Sequence, residues 1–226
     1  MSALVDRVRV NDNNREPRQP LVLLVDTSGS MEADLPDVAA GLADLRTALV
    51  LDPVARNRVE LVVITFGGMV TVHGDFGEAA VFEPPTLSAS GDTPMAAALT
   101  QALDLLEAKK LAYKASGLDY YRPLIFLLTD GEPTDLARWP EAVRRVRDAE
   151  RERKLVVMAV GTASAGFTKL RELAPDRPPL RVKEARWTTM FQWLSRSLQA
   201  RSRSRPGDEV PLEDPTGPHG WGTLPS

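Results

Sequence analysis

Residues 21–31 read LVLLVDTSGSM, and two signals meet in that stretch. Leu21 to Val25 are all aliphatic with no polar alternation, the pattern of a strand covered on both faces inside a parallel sheet. The run ends at Asp26 and passes into a short loop carrying Ser28 and Ser30. Strands of the same buried kind recur at 58–66 (RVELVVITF), 122–130 (RPLIFLLTD) and 154–161 (KLVVMAVG). The intervening segments have helical spacing: 36–51 with Val38, Leu42, Leu45 and Leu49, and 94–112 with Met95, Leu99, Ala102 and Leu106. A more polar helix over 138–153 is carried by Trp139, Val143 and Val146, and a last one over 188–198 by Met190, Phe191 and Leu194. After Thr65-Phe66-Gly67-Gly68, residues 69–73 read as a hairpin return. The expected fold is therefore α/β, doubly wound, with a mostly parallel central sheet, one antiparallel edge strand and helices on both faces.

The chain has 226 residues, 43% hydrophobic and 26% charged, which is the composition of a soluble globular domain. With no Cys, disulfide scaffolds, thiolate metal sites and a Cys nucleophile are excluded; with only His73 and His219, a multi-His metal site is disfavoured. The net charge of −3 hides a bipolar distribution: residues 1–137 hold 11 basic and 20 acidic side chains, and 138–205 hold 17 and 7. No stretch reaches the roughly 18 apolar residues of a membrane span, and the start lacks the apolar core of a secretory signal. The expected location is the cytoplasm, away from membranes.

Three parts are expected: a polar N-terminal segment over 1–19, one domain over 20–199, and a disordered Pro/Gly-rich tail over 200–226. Its ARSRSR start reads as a solvated linker. Trp221 in that tail is either a docking anchor for a partner or a point where the tail folds back on the domain.

In open parallel sheets, ligands sit beyond the carboxyl ends of the strands at the switch point. Asp26, Ser28 and Ser30 leave one strand end there, and Asp130 leaves another. Thr93, in SASGDTP, enters a helix between them. Two carboxylates and three hydroxyls make a hard, all-oxygen donor set, suited to Mg²⁺ with Mn²⁺ or Ca²⁺ as substitutes, and not to zinc or copper. If the hydroxyls ligate directly and the carboxylates act through water, the cation keeps much of its charge. It then attracts an external carboxylate.

Asp26-x-Ser28-x-Ser30, Thr93 and Asp130 together resemble the metal-ion-dependent adhesion site (MIDAS) of von Willebrand factor A domains, a likeness extending over about residues 21–198. LVDTSGSM, PPTLSASGDTPMAAAL and PLIFLLTDGEPTD further resemble the bacterial TerY-like branch, associated with tellurium resistance and stress responses. The resemblance implies Ser28, Ser30 and Thr93 as direct metal ligands, and Asp26 and Asp130 as water-mediated ones. It implies protein partners that supply an Asp or Glu, among them a metal-dependent protein phosphatase and a serine/threonine kinase-like protein. Asp92 departs from the pattern, which commonly has a second Gly there.

Each residue also has a plainer reading. Thr93 followed by Pro94 looks like an N-cap and first helical position, Ser28-Gly29-Ser30 like a turn, and Glu132, Thr134 and Asp135 like an exposed acidic loop that could rim the site. His73 reads as structural or exposed, and Tyr120-Tyr121 as a strand-entry cap. An EF-hand fails, because its sixth position is Met31 and its twelfth Asp37. No Walker lysine loop, nucleophile elbow or Cys–His pair is present, so the expected function is a metal-dependent interaction module and not an enzyme. The alternatives are a Mg²⁺-dependent phosphohydrolase with Asp26 as nucleophile, weakened by Ser28 where a second Asp is wanted, and an RNA-binding scaffold. The latter needs a basic groove or stacking platform; nucleic acid is therefore not the expected partner.

Overall fold

The computed structural model describes residues 7–162, 165–183, 186–208, 210, 213–217 and 220–225. His219 lies outside them. The strands are β1 (Gln19–Asp26), β2 (Val59–Gly67), β3 (Met69–Glu78), β4 (Leu124–Thr129), β5 (Val156–Gly161), β6 (Leu180–Val182) and β7 (Gly222–Thr223). The helices are α1 (Leu35–Leu51), α2 (Ala55–Arg58), α3 (Met95–Ala115), α4 (Trp139–Arg151), α5 (Phe167–Leu173) and α6 (Trp187–Ser202). One seven-stranded sheet runs in the order β3-β2-β1-β4-β5-β6-β7. The pairs β1–β2, β1–β4, β4–β5 and β5–β6 are parallel, as the uninterrupted aliphatic runs require.

Alternation along β1 divides the core. Val22 and Leu24 face one layer, packed with residues of α3, α4 and α5. Leu21, Leu23 and Val25 face the other, packed with α1 and α6. Since β1 pairs with β2 on one side and β4 on the other, the strand order reverses beside it. Its carboxyl end is thus the switch point, where the crossovers diverge and leave a crevice.

The hairpin strand β3 is longer than 69–73 and reaches Glu78, with a bulge opposite Leu61 to Val63. Its burial alternates with solvent, so the aliphatic criterion did not register its second half. At the other edge β7 adds a second antiparallel pair with β6, which the sequence reading did not include.

That pair belongs to the segment expected to be a disordered tail, and here the structure departs from the expectation. Trp221 is buried, edge-on to Trp193 with ring centroids 5.4 Å apart, and Lys183 N donates to its carbonyl at 2.9 Å. Of the two readings open for Trp221, the observed one is the fold-back. The polar segment before β1 is likewise held in place: Val8 is in the core, and Arg18 is fully buried, donating to four backbone carbonyls. Among the described residues no helix is long and apolar enough to cross a membrane.

Candidate functional site

Three loops meet at the carboxyl end of β1, tied by backbone hydrogen bonds. The first, after β1, contains a 3-10 turn at Gly29–Met31. Gly29 N donates to Gly91 O at 3.2 Å, and Ser90 N to Thr27 O at 2.8 Å, joining it to the loop before α3. That loop is joined to the one after β4 by Thr134 N donating to Thr93 O at 3.0 Å. Two glycines permit the approach. A Cβ on Gly67 would stand 2.2 Å from Thr27 O, and Gly91, at φ +59°, would carry its Cβ to 2.7 Å from the Cα of Gly68.

The five residues singled out from the sequence stand on these three loops. Asp26 is fully buried; its Oδ1 accepts Ser28 N–H at 2.8 Å and its Oδ2 accepts the Thr129 hydroxyl at 2.5 Å. Ser28 Oγ and Ser30 Oγ are 3.3 Å apart, the former buried and the latter exposed. A methyl placed on Gly131, next to Asp130, would stand 3.9 Å from Thr93 Oγ1. Asp130 Oδ1 is buried with no hydrogen-bond partner.

Burial pushes the Asp26 carboxyl above its ordinary range, and the charge of Asp130 adds to that, while hydrogen bonds from Thr129 and Ser28 hold it back. No described Lys or Arg pairs with either carboxylate. Negative charge is therefore concentrated here without a counterion from the described residues. Among the described residues no group of three or more His, Asp or Glu forms, so a cation here would have to rest on the carboxylate pair and the hydroxyls of Ser28, Ser30 and Thr93. An oxygen-only set with one buried, unpartnered carboxylate oxygen fits a hard divalent cation.

The cap reading of Thr93 is not what forms. Helix α3 begins at Met95 after Pro94, with no side-chain cap from its own loop. Asp135, from the loop after β4, instead accepts Ala96 N–H at 3.1 Å and Ala97 N–H at 2.8 Å through its two oxygens. This leaves Thr93 Oγ1 with no hydrogen-bond partner among the described residues. Asp135 is thus a helix cap and not a rim ligand. Glu132 is exposed beside Gly166, whose added Cβ would meet its Oε1 at 2.5 Å.

Thr129 was missed in the sequence, where it reads only as the last residue of an apolar strand. It ties the two carboxylate-bearing strand ends together, its Oγ1 also accepting Gly131 N–H at 3.1 Å. Asp92 takes the place of a second glycine without strain, since the left-handed residue is Gly91; the Asp92 carbonyl accepts Gly68 N–H at 2.7 Å. His73 is hydrogen-bonded to Thr65 at 2.8 Å on the β2–β3 hairpin and takes no part in the site.

No curated protein matches the chain. Among solved structures, the open pilus adhesin SpaC from Lactobacillus rhamnosus GG superposes with a TM-score of 0.65 at 17% identity, covering 83% of this chain and 31% of the adhesin. The manganese-loaded TRAP protein of Plasmodium vivax gives 0.53 at 24% identity, covering 71% of this chain and 64% of its own. Proximal thread matrix protein 1 from the mussel byssus, with a zinc-occupied MIDAS motif, gives 0.53 at 15%, covering 81% and 48%. This chain spans less than two thirds of each of these proteins, and at such identities the likeness is one of fold. The family model of the von Willebrand factor type A domain matches residues 21–192, about three quarters of the sequence, and the chain belongs to that family.

Proposed function

We propose that the chain is a metal-dependent protein-interaction module in which Ser28, Ser30 and Thr93 hold Mg²⁺ directly and Asp26 and Asp130 act through water. The observation that carries this reading is the buried, unpartnered Oδ1 of Asp130 beside an Asp26 that has no built-in cation. Mn²⁺ or Ca²⁺ would substitute on the same oxygens. When bound, the cation supplies positive charge able to take a carboxylate from outside the chain. The chain's own part is positional: Thr129 and Ser28 N–H orient Asp26, and Asp135 caps α3 so that the Thr93 hydroxyl stays available. Support also comes from a manganese-loaded neighbour of the same fold, while a second neighbour holds zinc in its MIDAS motif, so in that protein the motif accepts a cation that the donor chemistry alone disfavours.

The TerY-like likeness of LVDTSGSM, PPTLSASGDTPMAAAL and PLIFLLTDGEPTD extends the proposal to a cytoplasmic role in tellurium resistance and stress response. The partners would then be a metal-dependent protein phosphatase and a serine/threonine kinase-like protein, one of which presents an Asp or Glu to the metal. The phosphohydrolase alternative is weakened because both oxygens of Asp26 are already engaged as acceptors in a fully buried position. Nucleophilic attack needs a free oxygen facing substrate.

Calorimetric titration of Mg²⁺ and Mn²⁺ into wild type, Ser30→Ala and Asp130→Asn tests the site. Binding in the wild type that weakens about tenfold or more in each variant, a loss of at least ~1.4 kcal/mol, is expected. Equal binding in all three would place the metal elsewhere. Capture of the phosphatase by wild type, reversed by a chelator, tests the partner.

A further inference from the structure

At the opposite end of the molecule, the carboxyl ends of α3 and α6, the turn between α4 and β5 and the amino ends of β4 and β5 enclose a cleft of about 980 Å³. That is the upper end of the ~300–1,000 Å³ range typical of small-molecule sites. Its floor includes Leu124, Met158, Trp193 and Leu198, and among the described residues its walls carry Lys110, Lys114, Arg122, Arg153, Lys154, Arg177 and Arg201 together with Glu107 and Asp208. Four of the seven, Arg153, Lys154, Arg177 and Arg201, come from the basic half of the sequence.

Part of that charge has a structural explanation. Lys110 pairs with Glu107 at 2.5 Å, Lys154 with Glu152 at 2.5 Å and Arg177 with Glu150 at 2.7 Å. Lys114 and Arg201 stand in the last turns of α3 and α6, where a cation complements the helix dipole. Each dipole end amounts to only about half a charge, and neither Lys114 nor Arg201 meets a carboxylate among the described residues. Arg201 donates instead to the backbone carbonyl of Arg122 at 3.0 Å. Burial, and then the charge of Arg122, pushes the Arg201 guanidinium below its ordinary value, so this positive charge is held near another of its own sign. A second observation points inward: the Ser197 hydroxyl, on the wall formed by α6, is buried with no hydrogen-bond partner. Buried polar groups are nearly always satisfied, and an orphan lining a cleft is available to a ligand.

We infer that this cleft binds a small phosphorylated ligand with a flat apolar body, of the nucleoside di- or triphosphate class. Arg201 and Lys114 face the phosphates, the apolar floor carries the ring, and Ser197 reads one of its polar atoms. A single carboxylate would match only one of the two cations, Lys114 and Arg201, that meet no described carboxylate. The bounded volume suits one nucleotide and not a strand of several.

Calorimetry on the full chain in the presence of a chelator, with ADP, adenosine, inorganic pyrophosphate and a short RNA oligomer as probes, tests this. ADP is expected to bind, adenosine and pyrophosphate about tenfold or more weaker, each lacking half of the contacts. Lys114→Gln, at an exposed position where folding is not at stake, and Arg201→Gln should each weaken ADP about tenfold, and Asp26→Asn should leave it unchanged. The inference is overturned if ADP does not bind at millimolar concentration, if pyrophosphate binds as tightly as ADP, or if the RNA oligomer outcompetes it. Loss of ADP binding in Asp26→Asn would equally overturn it, by moving the ligand to the other edge; the metal reading stands or falls separately.

Discussion

At the amino ends of the strands, Glu60 is buried with Arg18 Nε 3.0 Å from one oxygen, and Lys109 Nζ at 2.6 Å and Tyr113 OH at 2.8 Å from the other. At the carboxyl ends, Asp26 is buried to the same degree. Its oxygens meet an amide and a hydroxyl, and its nearest charged neighbour in effect is another carboxylate, Asp130. Both are carboxylates on adjacent strands of one sheet, yet among the described residues only the first meets a countercharge. A buried ion left alone is costly, and the ordinary remedies are a partner or a proton. The difference teaches where charge is matched within the fold and where it is not: Glu60 closes a structural network, whereas Asp26 and Asp130 meet no described cation, the feature on which the proposed metal site rests.

The largest effect is expected from breaking the closed edge. Glu60→Gln removes the charge that two fully buried cations share, and severing one side of a buried pair costs about 3–5 kcal/mol. Lys109 also donates to the carbonyls of Arg9 and Phe76 at 2.8 and 2.7 Å, and burial already pushes its ammonium below the ordinary value. Shedding its proton therefore becomes easier in the variant. Urea denaturation at neutral pH measures the loss; less than ~1 kcal/mol would mean that the network is not the structural closure assigned to it.

A second position, remote from both carboxylates, calibrates the scale. Trp221→Ala empties a buried site against Trp193 and is expected to cost about 3 kcal/mol, the low end for a buried Trp; a wild-type melting curve would return it to solvent. It also marks the limit of what the sequence could say about the fold. The strands β1, β2, β4 and β5 were legible as unbroken aliphatic runs, and α1, α3, α4 and α6 by apolar residues spaced three to four apart, because each element carries its own local pattern. β6 and β7 are three and two residues long, too short for a period, and Trp221 is buried by long-range packing that no local pattern encodes. The buried Arg18 was illegible for the same reason, since its partner Glu60 is 42 positions away.

Breaking the open edge should change the sign of the effect. Because burial raises the folded-state pKa of Asp26, its ionised form destabilises the metal-free chain at any pH above that value. The penalty disappears as pH falls through it toward the ordinary 3.8. Asp26→Asn imitates the protonated form and is expected to raise Tm in chelator by about 2–4 °C, what roughly 1 kcal/mol does in a chain of this size. The same variant should lose the further Tm rise that saturating Mg²⁺ gives the wild type. A fall of Tm in chelator would show that the carboxylate is needed for its hydrogen bonds, and the two edges would then be alike. The gathering of these residues at one edge was readable in the sequence because Asp26, Ser28 and Ser30 lie within five residues and Asp130 follows a strand of the same kind. The roles of Thr129 and Asp135 were not, because a hydroxyl at a strand end and an acid in a loop have no signature until their partners, the Asp26 carboxylate and the start of α3, are known.

The smallest effect separates burial from compensation within a single residue. Asp52, between α1 and α2, is buried like Asp26, but its Oδ1 accepts the N–H groups of Ala55 at 2.8 Å and Val54 at 3.0 Å, and its Oδ2 meets Arg203. Burial alone would raise its pKa; the hydrogen bonds from Ala55, Arg203 and Val54 outweigh burial and hold it below 3.8. The sign is therefore opposite to that of Asp26. Its stabilisation is complete above the unfolded value of 3.8 and is lost as pH falls through the lower folded value. Asp52→Ala should cost about 1 kcal/mol at neutral pH, as a lost N-cap does, with the gap from wild type closing only in acid below 3.8. Denaturation midpoints of wild type, Asp52→Ala and Asp26→Asn followed together from pH 7 downward should thus converge from opposite sides. If Asp52→Ala instead diverged further from wild type in acid, the donors around Asp52 would not be acting on its charge, and supply of countercharge could not be what distinguishes the two ends of the sheet.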